Sequence, residues 1–258
     1  MVWSTPGANV ASAVSPWIWL TPDAPLRGTA RESPSIQTAV QPGQPTDPPH
    51  SNPLTPTPET PTPSTPLVLV HGLWDTPRLF HRLQRQLAGR RPHLLIPHLP
   101  QRFGLAPVLE LASQLDAHIA AQLGAEQPVD VLGFSMGGVL ARTWIQLLAG
   151  HLRTRRFISV GSPHQGTLTA GPWPGWPLAG VADVKPNSAL LQQLDSSLHT
   201  LQSVACASFY CSPDLMVIPA RSALLPLGSH HRLPVIGHHQ LLRHPAALAP
   251  LVQELLRP

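Results

Sequence analysis

From residue 67 to the end of the chain, short apolar runs alternate with longer segments whose apolar residues recur every three or four positions. The short runs predict buried strands, because a strand covered on both faces is apolar throughout; they are LVLV, HLLIP, VDVLGF, RFISVG, SVACASFY and LPVIG. The longer segments predict amphipathic helices, such as PVLELASQLDAHIAAQLG, whose stripe is Val108, Leu111, Leu115 and Ile119. This alternation indicates an α/β fold with a mostly parallel sheet of about six strands and helices on both faces.

Small polar residues, prolines and glycines mark where the helices begin and end. Thr76 or Asp75 precedes a proline and is the predicted N-cap of the first helix, which Gly89 ends. Asn187 is the predicted cap of the helix in NSALLQQLDSSL. Pro250 lies inside the predicted last helix, PAALAPLVQELL, so we expect that helix to be kinked or to begin late.

The composition changes sharply near residue 66. Before it the chain reads QPGQPTDPPHSNPLTPTPETPTPSTP, a tract of proline, threonine and serine with little to bury. Such a tract cannot offset the entropy of ordering, so we predict that residues 1–65 are disordered and that residues 66–258 form the folded domain. A linker or tail is the favoured interpretation of the tract, and a ligand for a proline-binding module is the alternative.

The charge of the chain argues against some partners. Only 12% of the 258 residues are charged, the formal net charge is +4, and Lys185 is the only lysine. The arginines are scattered, which is typical of a solvated surface rather than of a nucleic-acid site. No apolar run reaches the roughly 18 residues that a membrane span needs, so we expect no transmembrane segment. The N-terminus lacks the basic region of a secretory signal, which favours a cytoplasmic location.

Cys206 and Cys211 lie in or just after one predicted strand. The strand between them would span roughly 16 Å, whereas a disulfide requires Cα atoms within about 7 Å of each other. We therefore expect no bridge between them unless the chain turns.

Ser135 follows the predicted strand VDVLGF and precedes an amphipathic helix, within Gly133-Phe134-Ser135-Met136-Gly137. This is the G-x-S-x-G pattern of a nucleophile elbow, in which a sharp turn from strand to helix presents a serine hydroxyl. Glycine is required at the two flanking positions because side chains there would meet neighbouring backbone. The alternative is a glycine-rich turn with a serine that does no chemistry, but the strand and helix on either side favour the elbow.

The loop after the strand LVLV reads HGLWDTP. Acyl transfer needs backbone N–H groups directed at the negative charge that develops on the carbonyl oxygen. The residue after the nucleophile supplies one, here Met136, and the loop after an earlier strand supplies the other. We predict Leu73 for this second amide, since His71-Gly72 lets the chain turn just before it. An ordinary turn at His71-Gly72 is the alternative.

A carboxylate that orients a catalytic histidine is expected at another strand end. Asp214 follows the predicted strand SVACASFY, in CSPDLMVIP, and is the favoured candidate. Asp183 follows an irregular stretch and is a weaker alternative. Asp195 falls within a predicted helix, where a surface position is expected.

Two adjacent histidines follow the last predicted strand, in LPVIGHHQLLRHP. Either of them would complete, with Ser135 and Asp214, the set of side chains that activates a serine nucleophile. No metal or cofactor is predicted, because no H-E-x-x-H motif is present and no metal-ligand spacing joins the nearby histidines, which are His230, His231, His238 and His239.

The chain resembles the α/β-hydrolase family and, within it, the small bacterial serine lipases and esterases, which share the order Ser, Asp, His. The segments that carry the resemblance are VLVHGLWDTP, VLGFSMGGVLAR, SVGSPHQGT, DVKPNSALLQQL, SPDLMVIP and GHHQLL. The sequence departs from the family in two ways: about 190 residues leave no room for a large cap domain, and the sheet begins at LVLV, so we expect the usual first two antiparallel strands to be absent. We therefore expect the compact form of the α/β-hydrolase fold. The stretch LTAGPWPGWPLAG is either a small apolar flap over the site or a surface loop.

The resemblance also implies a role for each candidate residue. Related enzymes show the pattern Gly-His-x-x-Leu-Leu, which places the functional histidine at His238 rather than at His239. The implied roles are nucleophile for Ser135, acid for Asp214, base for His238, and oxyanion amides for Leu73 and Met136.

The implied reaction is hydrolysis of a small-molecule ester or lipid through an acyl-serine intermediate, as in lipid metabolism. Such a substrate is compatible with transient contact with a lipid surface. An acyltransferase or thioesterase with the same three residues is the first alternative, since the fold does not determine the substrate. A non-catalytic binding protein with a hydrolase fold is the second.

Overall fold

The computed structural model describes residues 64–258. The segment predicted to be disordered, residues 1–65, lies outside the described residues except for its last two. Six strands form one parallel sheet in the order β2-β1-β3-β4-β5-β6, which confirms the predicted architecture. Their bounds are Leu67–Val70 for β1, Leu94–Leu95 for β2, Val129–Phe134 for β3, Thr154–Val160 for β4, Ala205–Tyr210 for β5 and Ser229–Arg232 for β6.

Helices connect the strands and cover both faces of the sheet. Their bounds are His81–Leu87 for α1, Val108–Leu123 for α2, Met136–Leu147 for α3, Ala179–Asp183 for α4, Ala189–Ser196 for α5 and Pro245–Leu255 for α6. None of the helices in this part of the chain combines the length and apolarity that a membrane crossing requires.

The alternation of side chains along each strand explains why the strands are apolar throughout. In β1, Leu67 and Leu69 pack with α1 and α6 on one face, whereas Val68 and Val70 pack with α2, α3 and α5 on the other. Both faces of the sheet are therefore core, and a strand such as LVLV has no solvent-facing position to fill with a polar residue.

The sixth strand differs from the prediction. The apolar run LPVIG forms no strand, and β6 is the preceding segment SHHR, Ser229–Arg232. Among the described strands β6 pairs with β5 alone, so it is an edge strand whose side chains are mostly exposed and need not be apolar. The run LPVIG is apolar because Leu233 and Val235 are buried against the α6 side of the sheet. Pro234 between them has no N–H to donate to a neighbouring strand, which disfavours a strand there.

Three other local predictions are resolved by the described residues. The cap of α5 is Ser188, whose Oγ accepts the Leu191 N–H at 3.2 Å, so the assignment to Asn187 was wrong by one residue. Helix α6 begins at its first predicted residue and continues through Pro250, so the late start was wrong. Cys206 and Cys211 are both free thiols, as expected.

Candidate active site

Ser135 stands between β3 and α3 in a strained backbone conformation. Its φ and ψ are 55° and −131°, a region that residues with a Cβ rarely adopt. Its N–H donates to the carbonyl oxygen of Val160 on β4, which fixes the turn against the sheet. A half-buried hydroxyl is thereby presented at the carboxyl end of the strands, where α/β sheets collect their functional residues.

The glycines around Ser135 are required by close backbone approach. A Cβ on Gly133 would lie 2.4 Å from the Cα of Gly138, and a Cβ on Gly137 would lie 2.3 Å from the carbonyl oxygen of Val70. These distances are below any normal contact, so the flanking glycines let α3 pack directly on β1 and β3. The physical reason given for the sequence pattern therefore holds in the structure.

His238 and Asp214 form a buried pair. The Nδ1 of His238 lies 2.8 Å from the Oδ2 of Asp214, and each residue is 5% exposed. With Nδ1–H donating to the carboxylate, Nε2 is the acceptor, and it has no hydrogen-bond partner among the described residues. Nε2 is therefore available to a substrate or a nucleophile.

The Asp214 carboxylate is held in its charged form. Burial by itself would raise its pKa, but hydrogen bonds and charge from His238 and two backbone N–H groups outweigh burial and lower the pKa. The N–H groups of Met216 and Val217 donate to Oδ1 at 2.8 and 3.0 Å. Asp214 is thus suited to fix the His238 tautomer and to stabilise an imidazolium.

The ring of His238 is also fixed by packing. Phe134 lies against it with ring centroids 4.7 Å apart. Gly161, with a φ of 57°, passes so close that a Cβ there would lie 3.1 Å from the Cε1 of the ring. Strands β3 and β4 thus limit the orientations that the imidazole adopts.

The two predicted oxyanion amides lie on either side of Ser135. Leu73 is in the loop after β1, and Met136 is the first residue of α3. Within residues 64–258, neither amide donates to another backbone or side-chain group. Both residues line the cavity that contains Ser135, and a backbone N–H without an internal acceptor is free to bind an anion.

Gln101 holds the loop that carries Leu73. Its Nε2 donates to the carbonyl oxygen of Gly72 at 2.8 Å, and its Oε1 accepts the Trp74 N–H at 3.2 Å. One buried amide side chain therefore bonds the residues immediately before and after Leu73.

His71 supports the same loop from beneath and is fully buried. The Leu99 N–H donates to its Nε2 at 3.2 Å, so the ring proton is on Nδ1, which donates to the Gly72 carbonyl oxygen at 3.1 Å. Burial lowers the pKa of His71, and the neutral ring satisfies both bonds. His71 is therefore a structural residue of the loop.

A cavity of about 480 Å³ opens onto Ser135 and His238. Most of its remaining wall is apolar and is formed by Leu73, Trp74, Met136, Pro163, Ala170, Trp173, Val181, Val184, Met216 and Val217. A wall of this kind suits a hydrocarbon group and offers few partners to a polar one.

The Trp-rich stretch forms part of the cavity entrance. Residues 171–177 are exposed, and Trp176 is 88% exposed. Trp173 turns toward Trp74, and their rings meet edge to face with centroids 6.0 Å apart. Residues 171–177 are thus a surface loop, from which Trp173 lines the site, and Thr169 and Ala170 of the same stretch line it as well.

The two alternative carboxylates, Asp183 and Asp195, are not among the residues that line the cavity. Asp183 accepts the Val108 N–H at 2.8 Å, at the start of α2, and burial raises its pKa. Asp195 pairs with Arg142 at 2.8 Å and is half exposed. His239 pairs with Asp75 at 3.3 Å, at the edge of the cavity.

Two features of the site were missed by the sequence reasoning. Gln101 follows β2, so the expectation that functional residues follow the strands applies to it. The segment HLPQRFG, however, contains no recognisable motif. The contact between His239 and Asp75 joins residues that are 164 positions apart, and no local pattern signals it.

Several solved structures are similar to this chain in fold, and among them are two lipases and an enzyme described as an α/β hydrolase. Aspergillus fumigatus lipase B superposes with a TM-score of 0.61 at 20% identity, over 75% of this chain and 53% of the lipase, so this chain spans about half of that protein. The mature Bacillus licheniformis lipase BlEst2 gives 0.59 at 16% identity, over 79% of this chain and 96% of the lipase. MGS-MChE2, an α/β hydrolase from a sediment metagenome of the Mar Chica lagoon, Morocco, superposes with a TM-score of 0.51 at 20% identity. The superposition covers 74% of this chain and 90% of MGS-MChE2.

At these identities the likeness concerns the fold alone. No curated protein sequence matches the chain. The family model for palmitoyl protein thioesterase matches residues 66–216, which is more than half of the chain and includes Ser135 and Asp214. The chain therefore belongs to the palmitoyl protein thioesterase family, a family of hydrolases with the α/β-hydrolase fold.

Proposed function

We propose that this protein is a serine hydrolase that cleaves carboxylic esters of apolar acids through an acyl-Ser135 intermediate. The observation that carries the proposal is the buried pair of His238 and Asp214: the Nε2 of His238 has no hydrogen-bond partner among the described residues, and His238 lines the same cavity as Ser135. A histidine oriented by a carboxylate, beside a serine on a strained turn, is the arrangement that activates a hydroxyl.

In the first half of the reaction, Ser135 Oγ attacks the carbonyl carbon and its proton passes to His238 Nε2. The carbonyl oxygen becomes an oxyanion, which the amides of Leu73 and Met136 stabilise. The bond to the leaving oxygen then breaks, and His238 returns the proton to that oxygen. The products are an acyl-serine and a free alcohol.

In the second half, His238 accepts a proton from water, and the resulting hydroxide attacks the acyl carbon. The same two amides stabilise the second oxyanion, the bond to Oγ breaks, and Ser135 recovers its proton. Asp214 remains ionised throughout, which its lowered pKa favours.

The apolar cavity supports a hydrocarbon acyl group. Val181 and Val184 in and after α4 form one wall with Trp173, and Met216 and Val217 form another. Burial of each methylene of a chain in such a wall contributes about 0.8 kcal/mol, so turnover is expected to improve with chain length until the cavity is full.

A thioesterase is the second candidate function. It is favoured by one specific observation, the match of residues 66–216 to the palmitoyl protein thioesterase family. Ser135, His238 and Asp214 would act on a thioester as on an ester, with sulfur in place of the leaving oxygen. Under this proposal the leaving thiolate takes its proton from His238.

The test compares p-nitrophenyl esters with thioesters of the same acids, from short to long acyl chains, for the wild-type protein and Ser135→Ala. We expect turnover that rises with chain length, is abolished in Ser135→Ala, and favours one of the two substrate types. A fluorophosphonate probe should label the wild-type protein at Ser135. Absence of labelling, or labelling that persists in Ser135→Ala, would refute the enzyme and favour the non-catalytic binding protein.

An acyltransferase is distinguished by adding an alcohol or thiol acceptor to the same assay. A hydrolase releases the free acid whether or not the acceptor is present. Transfer of most of the acyl group to the acceptor would overturn the assignment to hydrolysis.

A further inference from the structure

A second cavity, of about 370 Å³, adjoins the catalytic cavity and shares Trp74 and Asp75 with it. We call it the arginine groove, because four arginines line it: Arg78, Arg82, Arg85 and Arg243. The first three recur along the segment that begins at Pro77 and continues as α1, and Arg243 follows the catalytic histidine loop.

The four arginines give the arginine groove a net positive charge, since Asp75 is the one acidic residue among the described residues that line it. Within residues 64–258, none of its four guanidinium groups lies within ion-pairing distance of a carboxylate. Arg82 donates to the carbonyl oxygen of Arg243 at 2.7 Å, which joins the two walls of the groove. Asp75 borders the groove but pairs with His239.

Because the groove adjoins the catalytic cavity at Trp74 and Asp75, it is placed to receive the leaving group of a bound substrate. This step rests on the proposed function, in which His238 returns a proton to the leaving atom. A leaving group beside His238 is therefore near His239, which contacts Asp75, and Asp75 lines both the catalytic cavity and the arginine groove. The acyl group is directed to the apolar walls, where no arginine lies.

We infer that the arginine groove binds a phosphate carried by the leaving group of the acyl substrate. Guanidinium groups match phosphate oxygens with paired, charge-assisted hydrogen bonds, and several unpaired guanidiniums in one concave surface favour a group with more than one negative charge. The substrate class is an acyl ester or thioester of a phosphorylated alcohol or thiol. Hydrolysis adds water across the acyl bond and releases the acid and the phosphorylated leaving group.

Two matched pairs of substrates test the inference. The octanoyl thioester of coenzyme A is compared with that of N-acetylcysteamine, and octanoyl glycerol phosphate is compared with octanoyl glycerol. In each pair the acyl group is constant and only one member carries phosphate. The first pair reports a phosphorylated thiol, and the second a phosphorylated alcohol.

The variants are Arg78→Gln, Arg85→Gln and the double variant. Each single change should lower kcat/KM for the phosphorylated member of at least one pair by about three- to tenfold. The loss should appear in KM, because an exposed charge-assisted contact to the phosphate is removed. The uncharged partner substrate should change by less than about twofold, which also shows that the variant is folded. Arg221→Gln is the matched control, because Arg221 is exposed, lies outside both cavities and gives the same change in net charge.

The inference is wrong if the phosphorylated and uncharged substrates lose equally, if neither loses, or if Arg221→Gln gives the same loss. Binding of free coenzyme A and of glycerol phosphate to Ser135→Ala, measured by calorimetry, separates it from the proposed function. Binding that Arg78→Gln and Arg85→Gln each weaken by about three- to tenfold would support the groove even in a protein without hydrolase activity. Absence of binding of both compounds would refute the groove while leaving the hydrolase proposal intact.

Discussion

At the scale of single residues, two adjacent histidines have different surroundings. Phe134 packs against both rings, with centroids 4.7 Å from His238 and 5.8 Å from His239. His238 is buried against Asp214, whereas the side chain of His239 is 44% exposed and contacts Asp75 at 3.3 Å. The geometry therefore favours a chemical role for His238 and a structural one for His239.

We predict that His238→Ala lowers kcat by about 10³- to 10⁶-fold, because the serine loses its base. His239→Ala should lower kcat by less than about threefold, because a half-exposed pair contributes little. Steady-state kinetics on a p-nitrophenyl ester measure both, with circular dichroism to establish folding. The reverse order of effects would place the base at His239.

Gln101 is a positioning residue for the oxyanion loop, since it bonds both neighbours of Leu73. Gln101→Leu should lower kcat by about 10- to 100-fold with KM nearly unchanged. The displaced Leu73 amide would no longer stabilise the oxyanion, whereas binding of the uncharged substrate does not depend on it. The affinity for a trifluoromethyl ketone, which mimics the tetrahedral intermediate, should fall in parallel.

Inhibition by the product acid separates positioning from general damage, since the acid forms no tetrahedral adduct and its affinity should not change in Gln101→Leu. Gln114→Leu, a change at a partly exposed position of α2 outside the cavity, is the control and should leave both inhibitors unaffected. Equal weakening of both inhibitors would indicate that Gln101 only stabilises the fold.

At the scale of elements, the connection from β3 to α3 depends on the absence of side chains. Gly137→Ala would place a Cβ 2.3 Å from the Val70 carbonyl oxygen, and we expect a loss of about 3 kcal/mol in the free energy of unfolding. Urea denaturation measures the loss. Gly175→Ala is the control, because its Cβ would meet nothing nearer than 3.9 Å. Similar stability of the two variants would contradict the close packing of α3 on the sheet.

Five of the six strands were predictable from apolar runs because both of their faces are core. The sixth was not, because an edge strand with exposed side chains, SHHR, leaves no apolar signal, and the apolar run LPVIG next to it, of which only Leu233 and Val235 are buried, imitates one. Ser135, Asp214 and His238 could be proposed from the sequence because each lies in a recognisable segment after a strand, although for His238 that strand is SHHR and not the predicted LPVIG. Gln101 and the arginine groove depend on contacts between distant parts of the chain, which no local pattern encodes.

At the scale of the whole molecule, a buried carboxylate with two arginines joins several elements. It lies at the amino ends of the strands, whereas Ser135 lies at their carboxyl ends. Asp130, the second residue of β3, accepts from Arg91 at 2.8 Å and from Arg155 on β4 at 2.9 Å. Arg91 also donates to the Leu255 carbonyl oxygen at the end of α6. One carboxylate thus connects two strands, the segment before β2 and the last helix.

Asp130→Asn should lower the free energy of unfolding by about 3–5 kcal/mol, because Arg91 becomes a buried charge without a counter-charge. The kcat of the folded protein should not change, since the pair lies far from the catalytic edge. Thermal and urea unfolding measure the loss, and Glu110→Gln, on the exposed first turn of α2, should cost less than about 1 kcal/mol. A small effect of Asp130→Asn would show that the arginines find other partners.

The edge-to-face pair of Trp74 and Trp173 has an optical consequence for the whole molecule. Two indoles held 6.0 Å apart in a fixed, chiral orientation couple electronically and contribute a signed band to the near-ultraviolet circular dichroism. Both rings line the cavity, so a molecule that occupies it changes their surroundings, and the band should change on occupancy even when no bond is cleaved. The protein thus carries a built-in spectroscopic reporter of binding, which Trp173→Phe should silence.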